Sequence, residues 1–206
     1  MNKLSLFRTS PLNVNICYMN LIKMLDQRRS SPSRTLHGPG PNAEEIRQML
    51  GSALRVPDHG KLVPWRFLKI QGDSRLVLGD LLATRALELN ANAPRAVIEK
   101  DRARFSFAPL IITVIARITH NHKVPEQEQM LSGGAVCFAL LQAAHALGYG
   151  AQWLTGWAAY DSLITKKLGL VENETILGFI HIGNVTEPAP ERLRPKLEDL
   201  LSDLSL

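Results

Sequence analysis

Eight consecutive residues, Pro109-Leu110-Ile111-Ile112-Thr113-Val114-Ile115-Ala116, constrain this chain more than any other stretch. A continuous apolar, β-branched run without alternation marks a central strand covered on both faces. A second buried strand is expected from Thr175 to Ile182. Between them, Pro125 opens a helix that runs to Leu147 and is stopped by Gly148. That helix is apolar on too many sides for a surface helix, which places it at the centre of the domain and at a subunit interface.

Asn42 followed by Glu45 is a capping-box signature, and it starts a helix to Leu54 with Ile46, Met49, Leu50, Ala53 and Leu54 on its apolar face. Residues 65–71 read as a strand ended by Gly72-Asp73. Ser74 is expected to cap a helix through about Leu89, and Pro94 to open another through about Arg104. Gln152 to Thr155 is a short strand or turn, and Asp161 to Leu168 a helix ending at Gly169. A proline-rich tail, Pro188 to Pro195, leads to a short terminal helix. Strands are few, helices are many, and they do not alternate regularly. This predicts an α+β fold, a small mixed sheet flanked by helices. The length of 206 residues suits one domain. Amphipathic spacing begins only at Leu21, Met24 and Leu25, so the domain is expected over 19–206, with 1–18 a loose extension.

The net charge of +5 is concentrated, not spread. Residues 1–34 hold six basic residues against Asp26 alone, and the remainder is neutral. A nucleic-acid surface distributes its cations over one face of the fold, so no nucleic-acid partner is expected. Cys17 and Cys137 are far apart, and Cys137 sits in an apolar helical run, a pattern of unpaired thiols in a reducing compartment. Arg8, Pro11 and several asparagines interrupt any secretory signal. The apolar stretch Gly133 to Ala151 contains Gln142 and His145, and reads as a buried helix instead of a membrane span. A cytoplasmic location follows. His120-Asn121-His122 lacks a further ligand at metal-binding spacing, so no metal is expected.

The residues that carry chemistry fall in four places. Arg28-Arg29-Ser30 places two guanidiniums and a hydroxyl at a helix end, and Ser31-Pro32 breaks the helix at once. Such fixed donors suit a phosphate. Arg55 and His59 flank Pro57 at the end of the next helix, just before Pro64-Trp65. Asp58 beside His59 suggests a local hydrogen-bonded pair. Trp153-Leu154-Thr155, approached through Gly148-Tyr149-Gly150, offers an apolar wall to something flat, or a tight connection with core tryptophans. Arg192 and Arg194 are either solvated or fold back to complete an anion site. No side-chain nucleophile and base pair up, so no catalytic residue is named.

In order, Arg28-Arg29-Ser30, Pro57-Asp58-His59 with Pro64-Trp65-Arg66-Phe67, Ala108-Pro109-Leu110-Ile111-Ile112, His122-Lys123-Val124-Pro125 and Gly150-Ala151-Gln152-Trp153 resemble the nitroreductase family of flavoproteins. The likeness is to its small, single-domain bacterial branch, the YdjA-like NAD(P)H nitroreductases, and covers about residues 19–195. It implies an obligate homodimer with shared FMN sites. By that likeness Arg28, Arg29 and Ser30 hold the phosphate and flavin edge, with Arg192 or Arg194 adding a contact. Arg55 and His59 reach the flavin from the partner subunit, and Trp153, Leu154 and Thr155 run beside its ring. Ala143, Ala144, His145, Ala146, Leu147 and Gly148 correspond to a stretch linked with the nicotinamide nucleotide. One departure is Val63, where relatives place a polar residue before Pro-Trp. The implied activity is ping-pong hydride transfer from NAD(P)H through FMN to a small nitroaromatic or quinone-like acceptor. The alternative is a flavin-binding storage or sensor protein with little turnover.

Overall fold

A computed structural model describes residues 21–205 of the chain. The expected boundary at Met19 and the extension 1–18 lie outside the described residues. The strands are β1 (Trp65–Gln71), β2 (Leu110–Arg117), β3 (Gly150–Leu154) and β4 (Glu174–Gly183). The α-helices with both ends described are α1 (Ala43–Ala53), α2 (Ser74–Leu89), α3 (Arg95–Ala103), α4 (Glu126–Ala146) and α5 (Ser162–Lys167). A further helical segment spans 21–27.

The sheet order is β1-β2-β4-β3, and every neighbouring pair is antiparallel. This corrects the expected mixed sheet. A helix between two strands implies a parallel crossover, and β2 and β3, joined through α4, do run parallel. They are not neighbours, because β4 returns between them and pairs antiparallel with both.

The two faces carry separate cores. α1 and α4 cover one face, where Met49, Ala53, Val136, Cys137 and Leu140 meet Ile112, Val114, Ile180 and Ile182. On the other, Leu78, Leu82, Phe105 and Ile164 pack with Ile111, Ile115 and Phe179. Of β2, only Arg117 is exposed, as its unbroken apolar run demands. Asn42 makes the expected capping box at α1, with Glu45 reciprocating. Ser74 is the first residue of α2 and not its cap: its Oγ donates back to Gln71 O at 2.6 Å, and Asp73 takes the cap position without a side-chain bond. The terminal helix is a single 3-10 turn, Leu197–Asp199.

α4 is pinned at its start by Gln129, which is 1% exposed. The Gln129 side chain accepts from Thr119 N at 2.8 Å and donates to Thr119 O at 3.0 Å and Val124 O at 3.1 Å. Gly133 faces Leu177 closely enough that a Cβ there would collide with it. Leu131 and Phe138 lie on the outer side of the same helix, 65% and 47% exposed. No helix among the described residues is long and apolar enough to cross a membrane.

Candidate functional site

The chain leaves the segment 21–27 and is stitched along the free edge of β3. Ser31 N donates to Ala151 O at 3.0 Å, and Ser33 N to Gln152 Oε1 at 2.6 Å. This seats Arg28 and Arg29 near the start of β3. Burial, then the like charges of Arg194, Arg29 and Arg192, lower the pKa of Arg28. Its Nε and Nη1 are buried and have no hydrogen-bond partner. Arg29 pairs with Glu191, which also accepts from Arg194 Nη2 at 3.2 Å. His145, in the last turn of α4, joins the group: burial, then Arg28 and Arg29, push its imidazole below the usual value. Arg29, Ser31, His145, Gly148 and Tyr149 line a cavity of about 250 Å³ here. Glu191 pairs with Arg29 and Arg194 and leaves the buried Nε and Nη1 of Arg28 unpaired, which is costly unless an anion completes the set.

About 13 Å further along β3, its far end opens into a larger cavity of about 440 Å³. Ser33, Arg34, Gln152 and Leu154 form one side, and Lys100, Ala103, Arg104 and Phe107 the other. Arg104 Nη2 donates to Asp101 Oδ1 at 2.7 Å, and the buried Asp101 carboxylate also accepts from Trp157 Nε1 at 3.2 Å. Gly156 (φ 93°) gives this guanidinium room, since a Cβ there would lie 2.9 Å from Arg104 Nη1. Successive side chains alternate across a strand, so Trp153 turns to the other face from Leu154. Its indole lies over Gly178 and donates to Leu177 O at 2.9 Å, leaving it 38% exposed.

Arg55 and His59 are elsewhere. Arg55 N closes the end of α1 on Ser52 O at 3.1 Å. His59 Nδ1 lies 2.6 Å from Glu128 Oε2, in the first turn of α4. Pro57, His59, Glu128, Leu131, Ser132 and Ala135 line a cavity of about 320 Å³. Asp58 does not pair with His59. Its carboxylate instead accepts from the amides of Leu62 and Val63, at 3.2 and 2.8 Å.

One chain therefore gathers Arg28, Arg29, Arg192 and Arg194 at one end of α4 and holds His59 at the other. From Glu128 to His145 the helix rises about 26 Å. Of the stretch 143–148, His145 and Gly148 line the smaller cavity, and Ala144 is buried in the core. Val63 is 52% exposed with φ 49°. Among the described residues no cluster could hold a metal ion.

A model of the Nitroreductase family matches residues 25–184. The chain belongs to the nitroreductase family. Over 182 residues this nitroreductase is 35% identical to the Escherichia coli K12 protein named "Putative NAD(P)H nitroreductase YdjA", covering 84% of this chain and 97% of that one. A nitroreductase-like family protein from Bacillus cereus superposes with TM-score 0.76 at 20% identity, over 99% and 98% of the two chains. A "putative nitroreductase in complex with fmn" from Desulfovibrio desulfuricans has TM-score 0.68 and 25% identity, over 89% of this chain and 96% of that one.

Sequence reasoning missed Arg34, Lys100, Arg104 and Phe107 in this nitroreductase. No single periodicity joins them: Lys100 lies in the last turn of α3, Arg104 caps its C-terminus and Phe107 lies in the bend before β2. Glu128 carried no local cue, because its partner His59 is 69 residues away in sequence.

Proposed function

We propose that this nitroreductase is an FMN-dependent oxidoreductase that takes hydride from NAD(P)H and reduces a nitroaromatic or quinone-like acceptor in a ping-pong cycle. The observation that carries it is the buried, partnerless Nε and Nη1 of Arg28 amid Arg29, Arg192 and Arg194. A phosphate monoester supplies the acceptor oxygens such donors lack. Arg28, Arg29, Ser30, Arg192 and Arg194 would hold it, and the flat ring system would lie beside β3, either over the exposed part of Trp153 on one face or towards Leu154 and the 440 Å³ cavity on the other. Arg34, Lys100 and Arg104 also line that cavity, and cations there would stabilise negative charge on a reduced ring.

When bound, FMN supplies the hydride chemistry, accepting two electrons from the nicotinamide and passing them on. The chain's own work is orientation and electrostatics. His145 and Gly148, at the mouth of the smaller cavity, are the members of 143–148 best placed to meet the nicotinamide nucleotide. Arg55 and His59 lie too far from Arg28 to share its site within one chain. They would reach the flavin of a second copy packed against the exposed Leu131 and Phe138 of α4. The homodimer then builds each site from both subunits.

Purified protein is expected to be yellow, to bleach with NADH or NADPH, and to recover its colour with a nitroaromatic. Parallel double-reciprocal plots would support the ping-pong order. Protein that is colourless and inactive after FMN reconstitution overturns the function. Arg28→Ala removes charge-assisted bonds worth about 1.5–3 kcal/mol, so FMN binding should weaken about 10- to 100-fold. Unchanged occupancy removes the phosphate assignment.

A further inference from the structure

Two carboxylates fix His59, and they act at different places. Asp58 clamps the turn beneath it through Leu62 N and Val63 N, and its carbonyl accepts from Lys61 N at 3.2 Å. Within that turn Gly60, Lys61 and Val63 all have positive φ, at 73°, 56° and 49°. Left-handed backbone costs glycine little and a β-branched residue much, so such a turn persists only where its surroundings over-determine it. The ring itself is held by Glu128, whose Oε2 lies 2.6 Å from Nδ1. Glu128 stands next to Gln129, whose buried amide pins the start of α4. Loop and helix are thus each held by bonds other than the pair itself.

A carboxylate has no hydrogen to give, so the hydrogen of this bond sits on Nδ1. Nε2 keeps its lone pair while the ring is neutral, and no hydrogen bond reaches it among the described residues. We propose that Glu128 is a positioning residue. It holds His59 as the Nδ1–H tautomer and presents Nε2 to the cavity lined by Pro57, Leu131, Ser132 and Ala135. This rests on the reading that His59 completes the site of a second copy. Neutral His59 then meets the flavin as an acceptor, so the atom it recognises carries a hydrogen, as the imide N–H of the isoalloxazine does. Arg55, which no ion pair engages among the described residues, would carry a positive charge across the same interface.

The test uses the full-length ¹⁵N-labelled protein with FMN bound. Long-range ¹H–¹⁵N spectra report the imidazole tautomers, and His59 is assigned by its loss in His59→Gln. Wild type should show the Nδ1–H pattern. Glu128→Leu should move His59 towards Nε2–H and weaken FMN binding several-fold. Glu128→Gln, whose Oε1 still accepts, should restore the wild-type pattern. A wild-type hydrogen on Nε2, or a Glu128→Leu spectrum identical to wild type, overturns the proposal. The partner reading is judged apart from it: with the tautomer as expected, His59→Ala that leaves FMN affinity and turnover unchanged overturns that reading alone.

Discussion

His181 sits within β4 at 1% exposure, its ring stacked on Phe105 at 5.6 Å and neither nitrogen bonded. Burial, then the charge of Arg104, pushes its pKa down to about 4. In the unfolded chain the same group titrates near 6.5. Unfolding therefore takes up a proton between those values, and folded stability falls as pH drops through the window. His181→Phe should flatten that limb: urea unfolding at pH 7 and pH 4.5 should differ by about 2–3 kcal/mol less than in wild type. An unchanged difference would mean that His181 stays neutral in both states. Glu174 acts lower on the scale. Its bonds to Arg66 hold its carboxyl below the usual range, so its contribution is present above the unfolded carboxylate value and fades as the pH falls further. Nothing in the sequence separated His181 from other residues of its strand. The local pattern of Arg28 and Arg29 marked them as a cationic pair, and the structure gathers Arg192 and Arg194 with them, whereas His59 was given the wrong carboxylate because proximity in sequence favoured Asp58.

Helix ends were the most readable elements, since their signals are local. Asn42 with Glu45, Pro94, Pro125 and Gly148 mark their helices to within about one residue. Strand direction was not readable, because the partner of β2 is chosen by β4, more than 50 residues downstream. Nor could the sequence distinguish glycines that pack from glycines that do not. Gly79 in α2 faces the main chain of α3, where a Cβ would strike Arg102 O, while Gly51 in α1 has nothing within 4 Å. Gly79→Ala should cost about 1–3 kcal/mol through overpacking. Gly51→Ala should stabilise by about 1 kcal/mol through helix propensity. Thermal melts of the two variants should move in opposite directions, and a shared direction would contradict the packing assigned to α2 and α3.

Among the described residues, the exposed apolar side chains include Leu131 and Phe138 on α4, and Leu193, Leu197, Leu200, Leu201 and Leu204 along the tail, the latter 65–95% exposed. Exposed apolar area on this scale marks an interface, and the proposed homodimer supplies one. Phe138→Glu should sediment as a monomer and lose FMN affinity, while wild type sediments as a dimer. A wild-type monomer with full flavin would end the shared-site proposal. The span of α4 has a genetic consequence. In the proposed homodimer its two ends would serve different flavins, so lesions at Arg28 and at His59 should complement one another. In a hybrid of Arg28→Ala and His59→Ala chains, one pocket inherits both lesions and the other inherits neither. Mixing two impaired proteins should then recover roughly a quarter of wild-type turnover, a rescue that self-contained subunits could never show.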